Sequence, residues 1–149
     1  MEVKFSYRTK VNCHPQDLWE AFRNIEDWRY QSDVFGDAGW VHGRPWTAGS
    51  RCFVEVTHPE RVDLEVVVLK CEAPAGEIVL LSHGGGMAGE QWIRFTPVSE
   101  SETLIEIEHA IVGPNVQDRK SAVEAIMRAS YERWFDGLKA QAEKRCFAL

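Results

Sequence analysis

From Gly36 to Val112 the chain is a series of short apolar runs cut by turn residues, and only the segment that follows is long enough to cover a sheet. The runs are Ala38 to His42, Arg51 to Thr57, Val62 to Glu72, Glu77 to Ser82, Met87 to Thr96 and Thr103 to Val112. Between them lie Gly43-Arg44-Pro45-Trp46-Thr47-Ala48-Gly49, His58-Pro59-Glu60, Pro74-Ala75-Gly76, His83 to Gly86 and Pro97 to Glu102. Consecutive short strands joined by tight turns build an antiparallel meander. Such a sheet cannot leave an apolar face wet. The pattern therefore predicts an α+β fold, a curved antiparallel sheet of six to seven strands wrapped around a long carboxy-terminal helix.

The amino-terminal part completes this plan. Val3, Phe5, Tyr7, Thr9 and Val11 alternate with Glu2, Lys4, Ser6, Arg8 and Lys10, which predicts a strand with one wet face. Pro15 suits the first turn of a helix, where its missing N–H leaves no bond unmade. Leu18, Trp19, Phe22 and Ile25 recur at helical spacing, and a second short helical turn runs through Asp27, Trp28 and Tyr30. Near the other end, Asn115 with Asp118 three residues on predicts a helix amino terminus. Val123, Ile126, Met127, Tyr131, Trp134 and Leu138 form its apolar stripe, to about Lys144. Gly137 weakens that helix by about 1 kcal/mol relative to alanine. No linker or repeat divides residues 1–149, which read as one domain.

Composition narrows the function. Hydrophobic residues make up 44% and charged residues 27% of the chain, as in globular proteins, and the net charge is −6. An acidic domain has no general attraction for phosphate backbones, so a nucleic-acid partner is not expected. No run approaches a membrane span and the first residues lack a secretory h-region, so the expectation is a cytoplasmic protein without membrane insertion. Cys13, Cys52, Cys71 and Cys146 include no C-x-x-C and read as free thiols. His14, His42, His58, His83 and His109 are scattered without metal-ligand spacing, so neither a metal nor a cofactor is expected. Gly84 to Gly89 spells G-x-G-x-x-G, but a strand follows it where a dinucleotide site needs a helix. It reads instead as a mobile hairpin.

Four segments resemble the START/Bet v1-like (SRPBCC) superfamily, in particular its polyketide cyclase/dehydrase-type branch. They are His14-Pro15-Gln16-Asp17-Leu18-Trp19-Glu20-Ala21-Phe22, then Ile25-Glu26-Asp27-Trp28, then Gly43 with Gly49-Ser50-Arg51, and finally Tyr131-Glu132-Arg133-Trp134-Phe135-Asp136-Gly137-Leu138-Lys139. The resemblance covers nearly the whole chain and implies a helix-grip fold with a deep cavity between sheet and helix. It also implies a small apolar or amphipathic partner, lipid- or polyketide-like. Members of the superfamily include carriers, sensors and aromatase/cyclases, and the resemblance does not choose among them. Three readings stay open: a ligand-binding domain, a cyclase or dehydratase using the same cavity, and a ligand-free interaction module. A homodimer is compatible with each.

Alternation selects the site candidates. His109 shares a face with Ile105, Ile107 and Ile111, and an inward imidazole can serve as general acid/base, as a ligand's hydrogen-bond partner, or as a core residue satisfied by one neighbour. Gln91 shares a face with Ile93 and Phe95, unless the strand slips by one residue and Trp92 is inside. Cys52, Val54 and Val56 form the natural core face of their strand; Arg51, Phe53 and Glu55 form the other, with Arg51 and Glu55 read as a surface pair. Trp40, Trp46, Met127, Tyr131 and Trp134 are large groups suited to a pocket wall. The expected ligand-contacting set is Trp40, Phe53, Gln91, Ile93, Ile107, His109, Met127, Tyr131 and Trp134, with His109 the catalytic candidate.

Overall fold

A computed structural model describes residues 2–114 and 116–147. Seven antiparallel strands form one sheet in the order β1-β7-β6-β5-β4-β3-β2. They are β1 (Glu2–Val11), β2 (Phe35–His42), β3 (Arg51–Val56), β4 (Val62–Cys71), β5 (Glu77–Gly84), β6 (Met87–Ser99) and β7 (Glu102–Val112). Two short helices, α1 (Pro15–Phe22) and α2 (Trp28–Gln31), join β1 to β2 across the whole width of the sheet. The last helix, α3 (Lys120–Cys146), packs on α1, α2 and β1. Among the described residues no helix is long and apolar enough to cross a membrane.

The alternation in β1 and β7 survives in the structure. Val3, Phe5 and Val11 are buried on β1, and Ile105, Ile107 and Ile111 on β7, with Phe5 opposite His109 and Tyr7 opposite Ile107. Beneath this face Tyr7 and Tyr131 each stack on Phe135, and Phe22, Trp28, Phe35 and Trp134 pack as a second group of rings. The buried Trp28 indole is satisfied by donating to Phe22 O at 2.8 Å.

Several boundaries differ from the sequence reading. β2 starts at Phe35, not Ala38, because a register shift between those residues interrupts the alternation. β5 continues to Gly84, and Gly85 and Gly86 (φ 60° and 78°) turn directly into β6. Two left-handed residues are what a tight type I′ hairpin requires. The glycine run is thus the two-residue turn of the β5–β6 hairpin. α3 starts at Lys120, after a 3₁₀ turn over Gln117–Arg119, because Val116 is held in a small cluster with Val3 and Ile111. The expected cap at Asn115 lies outside the described residues. Along α3, Phe135 joins the buried stripe at 0% exposure, whereas Ile126 reaches 36%.

Gly137 has a positive role. A Cβ there would overlap Gln31 O and lie 2.6 Å from its carbonyl carbon. Glycine lets α3 press directly on the end of α2, where Ser32 Oγ donates to Arg133 O at 3.2 Å.

Candidate functional site: a cavity under the first half of α3

α3 packs closely through its second half, but its first half stands away from β3–β6. The space left is a cavity of about 450 Å³. Its floor is the inward face of the sheet: Cys52, Val54 and Val56 from β3, Leu64, Val66 and Val68 from β4, Leu80 and Ser82 from β5, Gly89 and Gln91 from β6, and His109 and Ile111 from β7. Its roof is Val123, Met127, Tyr131 and Trp134, with Trp28, Phe35, Trp40 and Trp46 closing the far end. The charged or titratable lining residues other than His109 and Tyr131, namely Glu60, Arg61, His83, Arg119 and the thiol of Cys52, divide sharply. The first four are exposed around the mouth, and burial pushes the Cys52 pKa up to about 12, keeping it a neutral thiol.

One polar cluster interrupts the apolar interior. β6 and β7 are paired so that Gln91 lies opposite His109. Tyr131 descends from α3 onto both: His109 Nδ1 lies 2.8 Å from its hydroxyl, and Gln91 Nε2 donates to the same oxygen. Tyr131 is 3% exposed. Its ring stacks on Phe5 and Tyr7, which fixes where the hydroxyl points. Desolvation pushes the Tyr131 pKa upward, offset in part by the Gln91 bond, and lowers that of His109 to about 4. The imidazole is therefore neutral at pH 7. Gly89, opposite Ile111 on β7, gives the ring its room: a Cβ there would overlap His109 Nε2.

Of the residues expected to contact a ligand, Trp40, Gln91, His109, Met127, Tyr131 and Trp134 line this one cavity. Phe53 does not. It lies on the opposite face of β3 from Cys52 and Val54, its ring covering Gly39, whose Cβ would be 3.0 Å from Phe53 Cε1. Ile93 and Ile107 face inward but lie in solid core rather than on the cavity wall. At their level Tyr7, opposite Ile107, stacks on Phe135 and fills the space. Glu55 pairs with Arg61 at 2.8 Å and accepts from Asp37 N–H, so the expected surface pairing with Arg51 gives way to one across the β3–β4 turn.

Sequence reasoning missed Ser82, Trp28 and the wall formed by β4 and β5, although the Cys52-Val54-Val56 face was readable from alternation. Trp46 also lines the cavity, from a left-handed backbone (φ 62°), its indole donating to Arg23 O at 2.8 Å. One fully buried donor on the lining, Trp134 Nε1, has no acceptor among the described residues.

No protein-family model and no curated protein matches the chain. Solved structures do. The Zhui aromatase/cyclase from Streptomyces sp. R1128 superposes with a TM-score of 0.84 at 10% identity, over 99% of this chain and 98% of that one. The di-domain ARO/CYC StfQ from the steffimycin biosynthetic pathway gives 0.83 at 15% identity, over 99% of this chain and 53% of its own. A START superfamily protein from Mycobacterium smegmatis gives 0.77 at 14% identity, over 95% and 97%. At such identities the likeness is one of architecture, and the architecture is plain: the chain shares the helix-grip fold of these structures.

Proposed function

We propose that the chain binds an apolar or amphipathic small molecule in the cavity under α3. The observation that carries this reading is the cavity itself, with apolar side chains on nearly every wall and one compact polar cluster at His109. Interiors are ordinarily packed to near-crystalline density, and an apolar space of about 450 Å³ left open in a domain of this size is what a ligand site looks like. Binding would come from apolar burial, at about 25 cal/mol per Å² removed from water, with the polar cluster setting orientation.

The likeness to two aromatase/cyclases and the enclosed imidazole favour a second reading, in which the same cavity folds and dehydrates a polyketone-like substrate. Positioning would supply much of that rate, and His109 would be its acid/base.

Native mass spectrometry of the freshly purified protein, followed by denaturing extraction, tests the binding reading. The expected result is a discrete adduct of a few hundred daltons that is absent from Val66→Phe, a substitution that fills the cavity from the floor of β4. A bare-chain mass, together with equal uptake of apolar probes by the wild type and Val66→Phe, would refute it.

A further inference from the structure

The Gln91 amide, in the orientation it has here, sets a direction for the hydrogen bonds that run through Tyr131 to His109. Tyr131 Oη has two protein partners, Gln91 Nε2 and His109 Nδ1. An amide N–H can only donate, so the hydroxyl oxygen accepts from Gln91; giving its single hydrogen to Nδ1 is then the arrangement that leaves no phenolic hydrogen unused in a buried site. In a neutral imidazole the other nitrogen, Nε2, then carries the proton. Nε2 lies over Gly89 in the cavity wall and has no hydrogen-bond partner among the described residues. A second N–H, Trp134 Nε1, is also unpartnered, in a side chain that lines the cavity and is 6% exposed. The interior thus holds unpaired donors. Among the described residues the interior lining has no charged group to balance a buried ion, since Glu60, Arg61, His83 and Arg119 all lie exposed at the mouth. An unpaired carboxylate or ammonium taken inside would keep its full desolvation cost.

We propose that Gln91 and Tyr131 hold His109 as a hydrogen-bond donor to the cavity, and that the ligand presents an uncharged carbonyl oxygen to His109 Nε2–H. The proposal rests on the cavity-binding reading and names the functional group that the cavity selects. Gln91 and Tyr131 are positioning residues in it, acting through the imidazole. It also assigns His109 a polarising role, as the donor that draws electron density onto the bound oxygen, in place of proton abstraction. The nitrogen that faces the ligand already carries its hydrogen.

The test uses three probes that share one ring system: 2-acetylnaphthalene, 2-ethylnaphthalene and 2-naphthoate. Affinities are read from quenching of tryptophan fluorescence in the full chain. The ketone is expected to bind about tenfold more tightly than the hydrocarbon, the worth of one hydrogen bond to an otherwise unpaired donor, and the carboxylate most weakly. Imidazole ¹⁵N spectra, with His109 assigned by its loss in His109→Gln, should show the Nε2–H tautomer in the free protein and a shift of that nitrogen with the ketone alone. In Tyr131→Phe the hydrocarbon should bind within about twofold of wild type while the ketone loses most of its advantage and the Nδ1–H tautomer appears. Equal affinity for ketone and hydrocarbon, tightest binding of the carboxylate, or an Nδ1–H tautomer in the wild type would overturn the proposal. Failure of all three probes to bind would overturn the cavity reading itself, and this inference with it. Should Tyr131→Phe not fold, the wild-type probe series and ¹⁵N spectrum decide the matter alone.

Discussion

Replacing Gly89 by alanine sets two effects of comparable size against each other, and the structure says which wins. In a strand interior the exchange normally stabilises by about 0.5–1 kcal/mol, because alanine has less backbone freedom to lose. Here the added Cβ would overlap His109 Nε2 and lie 3.2 Å from Cδ2. The imidazole has to swing away, and its Nδ1 then leaves the Tyr131 hydroxyl, 2.8 Å distant. Losing that bond costs about 1 kcal/mol net, and a buried hydroxyl left with an unused hydrogen costs about 1–3 kcal/mol more. The balance is a destabilisation of about 1–3 kcal/mol. Urea unfolding should register it as a midpoint lowered by roughly 0.5–1.5 M, for a slope near 2 kcal/mol/M. A double-mutant cycle isolates the cause. With the ring removed by His109→Ala the Cβ has space, and Gly89→Ala should then stabilise by about 0.5–1 kcal/mol. The reasoning is refuted if Gly89→Ala is neutral or stabilising in the wild-type background, or destabilises equally in both.

Further outcomes follow from the same structure. His109, with its pKa lowered to about 4, stays neutral in the fold while the unfolded chain takes up a proton near pH 6.5. Its effect on stability is absent above that pH and grows as a loss on acidification, to roughly 3 kcal/mol by about pH 4. His109→Gln should remove this component, so the stability difference between the two proteins must narrow or change sign as pH falls from about 7.5 to about 4; parallel curves would exclude it. Gly137→Ala should lower Tm by several degrees, at roughly 2–4 °C per kcal/mol. Its helix-propensity gain of about 1 kcal/mol is outweighed when α2 is pushed off α3 and the Ser32–Arg133 bond breaks. An unchanged or higher Tm would show that the helices can part without cost.

How much of this could be read beforehand depended on the range of the forces involved. Alternation is local, so the inward direction of His109 was readable from β7 alone, whereas on β6 the sequence left open whether Gln91 or Trp92 faced inward. That the two side chains face each other depends on strand register, which the sequence leaves open to a slip of one residue. That Tyr131 bonds to both depends on where α3 crosses the sheet. That crossing is set by Gly137 against Gln31, and by Val116 in its cluster, at separations no periodicity records. The same limit explains Ile93 and Ile107. Their face was right, but whether an inward residue meets cavity or core is decided by the rings of Tyr7 and Phe135 stacked beneath them. Gly137 itself was read from helix propensity as a weakness. Propensity sees only the helix it belongs to, and the reason for this glycine lies in another helix.

The sheet order has a consequence for how the chain assembles. β2 to β7 can pair one after another, each with the strand made just before it, through turns as short as two residues. β1 is different: Glu2 pairs with Val112 and Val11 with Thr103, so among the described residues the first strand of this sheet pairs only with its last in chain order. During synthesis Val3, Phe5 and Tyr7 must therefore wait, apolar side unpaired, for partners that lie a hundred or more residues further along. Contacts of such long sequence separation form late and slowly, and an unpaired apolar strand is a template for association with other chains. The charges that alternate with them, Glu2, Lys4, Arg8 and Lys10, lie on the face left in water after folding, and charges so placed on a strand disfavour its pairing with a copy of itself.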